Sequence, residues 1–356
     1  MRSWMRIIIF WCTSLIPLMC AGAEPPDSLC SSLLRSLPDF PDVRTICSDN
    51  VRFFFAEPSG QENQPPLFIV VTNRELIRGK KQLEYSNNCR AGDLSYIAVY
   101  RTGNEYRLTK LAGLQEAVHL LPDTRETLLY VHGYGRTFTN TLNESELIRR
   151  FYNVSLIVFD WPSKYPGVFE LRSYLYAKQN VNRSLPQFTA FLKEYDQYKS
   201  GFPEFGSEKS VLLLHSMGNA FLEKMFRQDK ACSASQPLFD VVLMNAPAVK
   251  KTGHRKWISR IDLSDQIVVL SNHKDPTLYG VFWLTLRKQL GRSRQSKNEG
   301  EIRYINLGSI AQRHHNYFIN QELMQTYPSL KILYFSLISQ MEKGKLEECR
   351  RMDIPD

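Results

Sequence analysis

Nearly continuous apolar runs that alternate with helical-looking stretches constrain the fold of this chain more than any other feature. The predicted strands are Val51–Ala56, Leu67–Val71, Tyr96–Tyr100, Thr127–His132, Ser155–Asp160, Ser210–His215, Asp240–Asn245, Gln266–Ser271 and Ile302–Leu307. Apolar runs without polar alternation are typical of strands that are buried on both faces of a parallel sheet. Because helical patterns separate the later strands, the sequence predicts right-handed β–α–β crossovers and an α/β fold.

Helical patterns fill most of the intervals between the later strands. They cover Asn143–Tyr152, Leu171–Lys199, Asn219–Gln228 and Tyr279–Leu290, and Leu330–Cys349 is typical of a C-terminal packing helix. Since long helical intervals do not separate the first three strands, we expect these strands to form an antiparallel edge. The sheet would then carry an N-terminal β extension.

The N-terminus has the pattern of a secretory signal. Arg2 and Arg6 precede the apolar run Ile7–Cys20, and a small-residue site ends at Ala23. The run is shorter than the roughly 20 residues that a membrane span needs. We therefore expect cleavage after Ala23 and an exported protein, periplasmic or secreted. An uncleaved anchor and a lipidated Cys20 are the alternatives.

The cysteines fit an oxidising compartment. Removal of residues 1–23 leaves five of them: Cys30, Cys47, Cys89, Cys232 and Cys349. An exported protein can form disulfides, and we expect the pair Cys30–Cys47. The chain has no C-x-x-C motif and no Cys/His cluster, so the sequence predicts neither a metal nor a cofactor.

Four regions follow from these patterns. Residues 1–23 form the signal peptide, and residues 24–66 form an N-terminal segment. The main α/β domain covers 67–325, and within it 161–208 is long and aromatic enough to be a candidate lid. Residues 326–356 are expected to hold the C-terminal helix.

Ser216 is the strongest candidate for a nucleophile. It lies in the segment His215-Ser216-Met217-Gly218, directly after an apolar strand and before a helical pattern. A sharp strand-to-helix turn of the G-x-S-x-G type exposes its serine hydroxyl above the edge of the sheet. Gly218 fits this elbow, whereas Leu214 stands in place of the first glycine. The alternative is a serine that only caps the next helix.

A second loop offers hydrogen-bond donors for a negatively charged oxygen. The strand before it ends in His132-Gly133-Tyr134-Gly135. In folds with a nucleophile elbow, an amide of this loop and the amide after the nucleophile form the oxyanion hole. The sequence therefore predicts the amides of Tyr134 and Met217 as donors; an ordinary tight turn is the alternative.

An acid and a base follow the serine in the chain. Asp275 comes directly after a predicted strand, and His314 and His315 come after the last one. A histidine would take the serine proton, and the carboxylate would orient the imidazole. Two adjacent histidines cannot both face Ser216; we favour His315 and keep His314 as the alternative.

Four ordered motifs resemble a bacterial α/β-hydrolase family of uncharacterised function. They are Thr72-Asn73-Arg74, His132-Gly133-Tyr134-Gly135, Trp161-Pro162-Ser163 and Leu214-His215-Ser216-Met217-Gly218-Asn219. The resemblance covers roughly residues 67–320 and implies a mostly parallel central sheet flanked by helices, with Ser216 as the nucleophile. Ala177 and Ala248 depart from the family pattern, which tends to have acidic residues there.

These residues favour a serine hydrolase that cleaves a carboxylic ester, of a lipid or a small molecule, through an acyl-enzyme. A catalytically inactive binding or effector protein on the same scaffold is the alternative. The formal net charge is +9, and its densest basic run, Arg287–Lys297, is typical of a solvated loop. Peripheral contact with an anionic membrane surface or polyanion is the alternative. Charge alone supports a nucleic-acid partner, and export argues against one.

Overall fold

The computed structural model describes residues 52–56, 65–78, 83–90, 92–122, 126–165, 167–202, 209–227, 237–298 and 300–339. The predicted signal peptide and the pair Cys30–Cys47 lie outside the described residues. So does the C-terminal part of Leu330–Cys349 beyond residue 339. These features stay predictions.

Twelve strands are present in the described part of the chain. In chain order they are β1 (Arg52–Phe55), β2 (Phe68–Thr72), β3 (Arg74–Arg78), β4 (Leu83–Cys89), β5 (Ser95–Thr102), β6 (Glu105–Leu111), β7 (Thr127–Val131), β8 (Ser155–Asp160), β9 (Ser210–His215), β10 (Val241–Asn245), β11 (Ile267–Ser271) and β12 (Ile302–Asn306). Ten of them form one sheet in the order β1-β6-β5-β2-β8-β7-β9-β10-β11-β12, and β3 pairs with β4 separately.

The part of the sheet from β2 to β12 is parallel throughout. Every residue of β7, β8, β9, β10 and β11 is buried, as the unbroken apolar runs predict. The predicted α/β class with a mostly parallel central sheet is confirmed. Since parallel strands all end at one edge, the loops after β7, β8, β9, β11 and β12 lie along the same edge.

The N-terminal edge differs from the expectation. β5 is antiparallel to β2 and to β6, but β1 runs parallel to β6. The prediction of an antiparallel edge from the first three strands is therefore wrong for Val51–Ala56. The reason is β6, which lies between β5 and β1. Its sequence, Glu-Tyr-Arg-Leu-Thr-Lys-Leu, is too polar to be found as an apolar run.

Eight α-helices accompany the described strands. They are α1 (Leu114–His119), α2 (Phe138–Tyr152), α3 (Glu170–Gly201), α4 (Ala220–Arg227), α5 (Arg255–Ile258), α6 (Pro276–Thr285), α7 (Gln321–Thr326) and α8 (Pro328–Ile338). Thr137 and Asn140 form a reciprocal capping box at the start of α2. Within the described ranges, we find no helix that combines the length and the apolarity that a membrane crossing requires.

The long helix α3 occupies most of the candidate lid, residues 161–208. Its inner face belongs to the main hydrophobic core, where Phe188 and Phe191 lie 4.9 Å and 6.0 Å from the ring of Phe159 on β8. Exposed apolar side chains gather instead at the N-terminal end of the segment, where Phe169 is 57% exposed. Most of the segment therefore supports the core.

Candidate active site

Ser216 lies at the turn between β9 and α4. Its backbone has a φ of 50°, in the left-handed region, and a short 3₁₀ turn, Ser216–Asn219, leads into the helix. A non-glycine residue in this conformation costs about 1–3 kcal/mol, which surrounding contacts must offset. The carbonyl of Ser216 accepts hydrogen bonds from the Ala248 amide at 3.1 Å and from Asn219 Nδ2 at 3.1 Å. Ser216 therefore lies on a sharp turn, and two hydrogen bonds to its carbonyl stabilise that turn.

Close packing explains which glycines this elbow requires. A Cβ on Gly218 would lie 2.6 Å from the carbonyl oxygen of Val131, and one on Gly133 would lie 2.9 Å from Cβ of Ser216. The loop after β7 thus touches the elbow directly. Leu214 packs into the core one residue before the turn. The departure from the first glycine is tolerated because that position faces the core.

His315 and Asp275 form a hydrogen-bonded pair next to this elbow. Nδ1–H of His315 donates to Asp275 Oδ2 at 2.6 Å. The side chain of Asp275 is fully buried and that of His315 is 15% exposed. The other carboxylate oxygen, Oδ1, accepts from the amide of Leu278 and caps α6. Asp275 is thereby held in place, and through Nδ1 it fixes the orientation of the His315 imidazole.

His314 points elsewhere. Its side chain is exposed, and its Nδ1 accepts from Asn320 Nδ2 at 3.0 Å. Its carbonyl, like that of Gln312, accepts from Asn272 Nδ2, which ties this loop to the loop after β11. Of the two adjacent histidines, the structure brings only His315 to Asp275.

His215 joins the elbow to the histidine loop. Asn245 Nδ2 donates to its Nδ1 at 3.0 Å, and its Nε2–H donates to Asn316 Oδ1 at 2.9 Å. Its ring centroid lies 4.7 Å from that of His315. Burial, and then the neighbouring His315, lower the pKa of His215 well below its ordinary value. The ring is therefore neutral, and it positions the loop of His315 beside Ser216.

The two predicted oxyanion donors belong to the loop after β7 and to the elbow, which touch each other at Gly133 and Ser216. Among the hydrogen bonds of the described residues, neither the amide of Tyr134 nor that of Met217 has an acceptor. The Tyr134 hydroxyl donates to Glu170 Oε1 at 2.7 Å, which anchors its side chain away from its own backbone. Both amides are therefore available to a ligand oxygen.

The segment Trp161-Pro162-Ser163 braces the loop that carries Tyr134. The amide of Gly135 donates to the Ser163 carbonyl at 3.0 Å, and the amide of Arg136 donates to Ser163 Oγ at 2.9 Å. Trp161 Nε1–H donates to the carbonyl of His132 at 3.0 Å. Trp161 and Ser163 therefore hold the backbone of the loop that carries Tyr134.

His132 lies deep in the structure rather than at the site. Its ring stacks on Trp161 at 5.5 Å, and its Nε2 lies 3.1 Å from Asp160 Oδ1. Asp160 in turn forms a fully buried ion pair with Arg74 at 2.6 Å. Burial by itself raises the pKa of Asp160, but Arg74 and His132 outweigh it and hold this pKa below its usual range. His132 thus belongs to a buried ionic cluster beneath the loop.

One contact of the predicted relay is not formed. Within the described part of the chain, no hydrogen bond joins Ser216 Oγ to His315. Such bonds are often long or poorly aligned before substrate binds. The described residues also hold no group of three or more His, Cys, Asp or Glu side chains placed to bind a metal ion.

Sequence patterns did not single out the amides that organise the site. Asn219 Nδ2 donates to the carbonyls of Leu214 and Ser216, and Asn245 and Asn316 hold His215. Their only signal in the sequence is their position, directly after or within the predicted motifs. Asn219 ends the elbow turn, Asn245 ends β10 and Asn316 lies in a loop, and an asparagine at any of these places is too common to stand out.

The chain matches the model of a family described as "Alpha/beta hydrolase of unknown function (DUF900)" over residues 114–338. No curated protein matches it in sequence. It is similar to the solved structure of carboxyl esterase 2 from the mycorrhizal fungus Tuber melanosporum, with 10% identity and a TM-score of 0.33, over 87% of this chain and 98% of that one. It is also similar to that of a thermophilic carboxylesterase cloned from a metagenomic library, with 10% identity and a TM-score of 0.33, over 78% and 91%.

The family match spans more than half of the chain and includes the elbow, Asp275 and His315. It confirms the fold and the resemblance drawn from the motifs. The chain therefore belongs to the α/β-hydrolase family of unknown function.

Proposed function

We propose that this protein is a serine hydrolase that cleaves a carboxylic ester through an acyl-enzyme. Ser216 would be the nucleophile, His315 the general base and Asp275 the residue that orients the imidazole. The observation that carries this proposal is the left-handed turn at Ser216 together with the His315–Asp275 hydrogen bond beside it. A strained serine and an oriented imidazole are the two parts that nucleophilic acyl transfer needs.

In the first half of the reaction, Ser216 Oγ attacks the ester carbonyl carbon while Nε2 of His315 takes its proton. The carbonyl oxygen becomes negative and accepts hydrogen bonds from the amides of Tyr134 and Met217. The tetrahedral intermediate then breaks its bond to the alcohol oxygen. His315 returns the proton to the departing alcohol, and the acyl group stays on Ser216.

In the second half, His315 removes a proton from a water molecule, which attacks the acyl carbon. The bond to Ser216 breaks, the proton returns to Oγ and a carboxylic acid leaves. Asp275 holds Nδ1–H throughout, so Nε2 keeps the lone pair that each half requires.

A fluorophosphonate probe tests the proposal. We expect the folded protein to form a covalent adduct that peptide mass spectrometry places on Ser216, and Ser216→Ala to remain unlabelled. Ser259→Ala, at an exposed serine after α5, is the matched control and should label like the wild type. Absence of an adduct in folded protein would count against a serine hydrolase.

A catalytically inactive binding protein is the second candidate, and the missing hydrogen bond between Ser216 and His315 favours it. The two candidates differ in one measurement, the rate at which the probe reacts. An inactive scaffold would label no faster than its heat-denatured form, whereas an activated serine loses its labelling on denaturation.

A further inference from the structure

A cavity of about 310 Å³ opens beside the elbow. Met217, whose amide is a predicted oxyanion donor, lines it, and so does Ala248, whose amide holds the Ser216 carbonyl. Tyr174 of α3 lines the same cavity, and its ring lies 5.6 Å from that of Tyr134. The cavity therefore borders the elbow through Met217, while Ser216 and His315 lie outside its lining. A part of the substrate other than the reacting carbonyl would occupy it.

The wall of this cavity is strongly cationic. Five basic side chains and one acidic side chain line it: Lys178, Lys224, Arg227, Lys250, Arg287 and Glu223. Arg227 and Glu223 neutralise each other in an ion pair at 3.0 Å. No carboxylate of the described residues forms an ion pair with the other four, so the wall keeps an excess of four positive charges. Glu223, the one acid in the lining, also acts on Lys178 and Lys224.

These four cations come from separate elements of the fold. Lys178 lies on α3, Lys224 on α4, Lys250 after β10 and Arg287 after α6. The last two segments are joined, because the amide of Lys251 donates to the Lys288 carbonyl at 2.8 Å. No local sequence pattern places such residues together, so their convergence is a property of the tertiary structure.

Their proximity has an electrostatic consequence. Burial, then Arg287, then Lys224 lower the pKa of Lys178 from its ordinary value, and Glu223 opposes them. Like charges that outnumber their counter-charges destabilise the folded state. An anion in the cavity relieves this repulsion.

We propose that this cavity binds an anionic group of the substrate, a carboxylate or phosphate carried on the ester. The inference rests on the proposed function and narrows it to esters with a negatively charged group near the scissile bond. The cations act on substrate binding, since they touch a part of the substrate that does not react. Their effect therefore belongs in KM more than in kcat.

Matched esters test the charge preference on the acyl side. One pair is p-nitrophenyl hexanoate and mono-p-nitrophenyl adipate, whose acyl chains have equal length and differ in a terminal carboxylate. A second pair, a butyryl glycerol phosphate and monobutyrin, places the charge on the alcohol side. We expect wild type to favour the anionic member of at least one pair by roughly tenfold in kcat/KM, and added salt to reduce this preference.

The double variant Lys178→Gln/Arg287→Gln removes cations from two walls of the cavity. We expect it to lose most of the preference, mainly through a higher KM for the anionic ester. The matched control is Lys193→Gln/Lys288→Gln, two exposed lysines outside the cavity lining, which removes the same net charge. The control should keep the wild-type preference.

The outcomes separate this inference from the proposed function. Turnover of the neutral esters without any charge preference, or an equal loss in both double variants, overturns the cationic pocket and leaves the serine hydrolase standing. Absence of both turnover and Ser216 labelling overturns both. A preference lost only in the cavity variant supports the inference.

A lipid headgroup and a soluble ester offer the same anionic chemistry. Short-chain phosphatidylglycerol dissolved as monomers, and long-chain phosphatidylglycerol in vesicles, distinguish them, each against the matching phosphatidylcholine. Faster cleavage of the anionic monomers indicates a soluble substrate, and faster cleavage only in vesicles indicates a lipid surface. Equal rates on both lipids in both forms would contradict the inference for lipids.

Discussion

Two histidine–aspartate pairs lie at the same edge of the sheet, and they differ in what surrounds the imidazole. His132 and Asp160 are both fully buried, and each ring nitrogen of His132 lies within 3.2 Å of a partner. His315 bonds to the buried Asp275 through Nδ1, its Nε2 has no hydrogen-bond partner among the residues that the structure describes, and its side chain is 15% exposed. Both pairs consist of a histidine and a buried aspartate, but they differ in whether the second ring nitrogen has a hydrogen-bond partner.

This difference separates a structural pair from a candidate catalytic one. A general base needs a nitrogen that can take a proton, and both nitrogens of His132 are occupied. Asp160 also pairs with Arg74, so its charge is already balanced. A histidine beside a carboxylate therefore does not identify a base; a free nitrogen next to a nucleophile does.

The largest expected effect comes from removing the His315 imidazole. His315→Gln should lower kcat/KM by about 10⁴-fold, because the proton on Ser216 then has no acceptor. His314→Gln, one residue away, is the control and should keep near wild-type activity. Ester hydrolysis by the two variants checks this; equal losses would show that the loop and not His315 matters.

Breaking the buried pair should damage stability instead. Arg74→Met leaves the Asp160 charge buried without its main partner and should reduce the free energy of unfolding by about 3–5 kcal/mol. Urea unfolding measures the loss. Arg78→Met, at an exposed arginine of the same strand, is the control. A loss under 1 kcal/mol, about that of a surface pair, would mean that Arg74 is not the anchor of this cluster.

A third histidine should give stability a pH dependence. The folded-state pKa of His215 is depressed, whereas an unfolded histidine titrates near about 6.5. Below that pH the unfolded chain binds a proton that the folded chain does not, so the free energy of unfolding falls as pH drops. The slope reaches at most about 1.4 kcal/mol per pH unit for one group.

The variant His215→Gln isolates this contribution. Unfolding of wild type and variant between about pH 7 and 5 should show a steeper decline in wild type, since the variant has no imidazole to protonate. The same variant should lower kcat severalfold with little change in KM, because it loses the bond to Asn316 that positions His315. Parallel stability curves would exclude a buried neutral His215.

The smallest effect concerns Ser163, which holds the backbone of the loop that carries Tyr134. Ser163→Ala leaves the Arg136 amide without its acceptor and should cost about 1–3 kcal/mol of stability. A severalfold lower kcat would accompany it if the loop shifts the Tyr134 amide. Ser264→Ala removes a similar bond, from the Gln266 amide before β11, and serves as the control. Equal kcat in both variants would confine Ser163 to a structural role.

The sequence predicted the parallel core closely. Strands β7 to β11 agree with their apolar runs to within one residue at each end, because burial on both faces demands unbroken hydrophobicity. It failed where burial is one-sided: β3 has four exposed residues of five, and a polar pattern of that kind also fits a loop. Asn316 was missed because a loop asparagine has no periodicity to reveal it. The role of Asn219, the fully buried last residue of the elbow motif, follows only from its hydrogen bonds.

By itself, the sequence determined the order of the parallel core strands, the elbow at Ser216 and the succession of serine, acid and histidine, because each is written in a local pattern. The tertiary structure decided which histidine meets Asp275 and that His132 is structural. It also brought four cations from separate elements around one cavity beside Met217. These outcomes depend on loops and helices that are distant in the chain and meet only when the sheet forms. The hydrogen bonds of His315 and His132, and the approach of the four cations, are set by that packing, and no local sequence pattern encodes them.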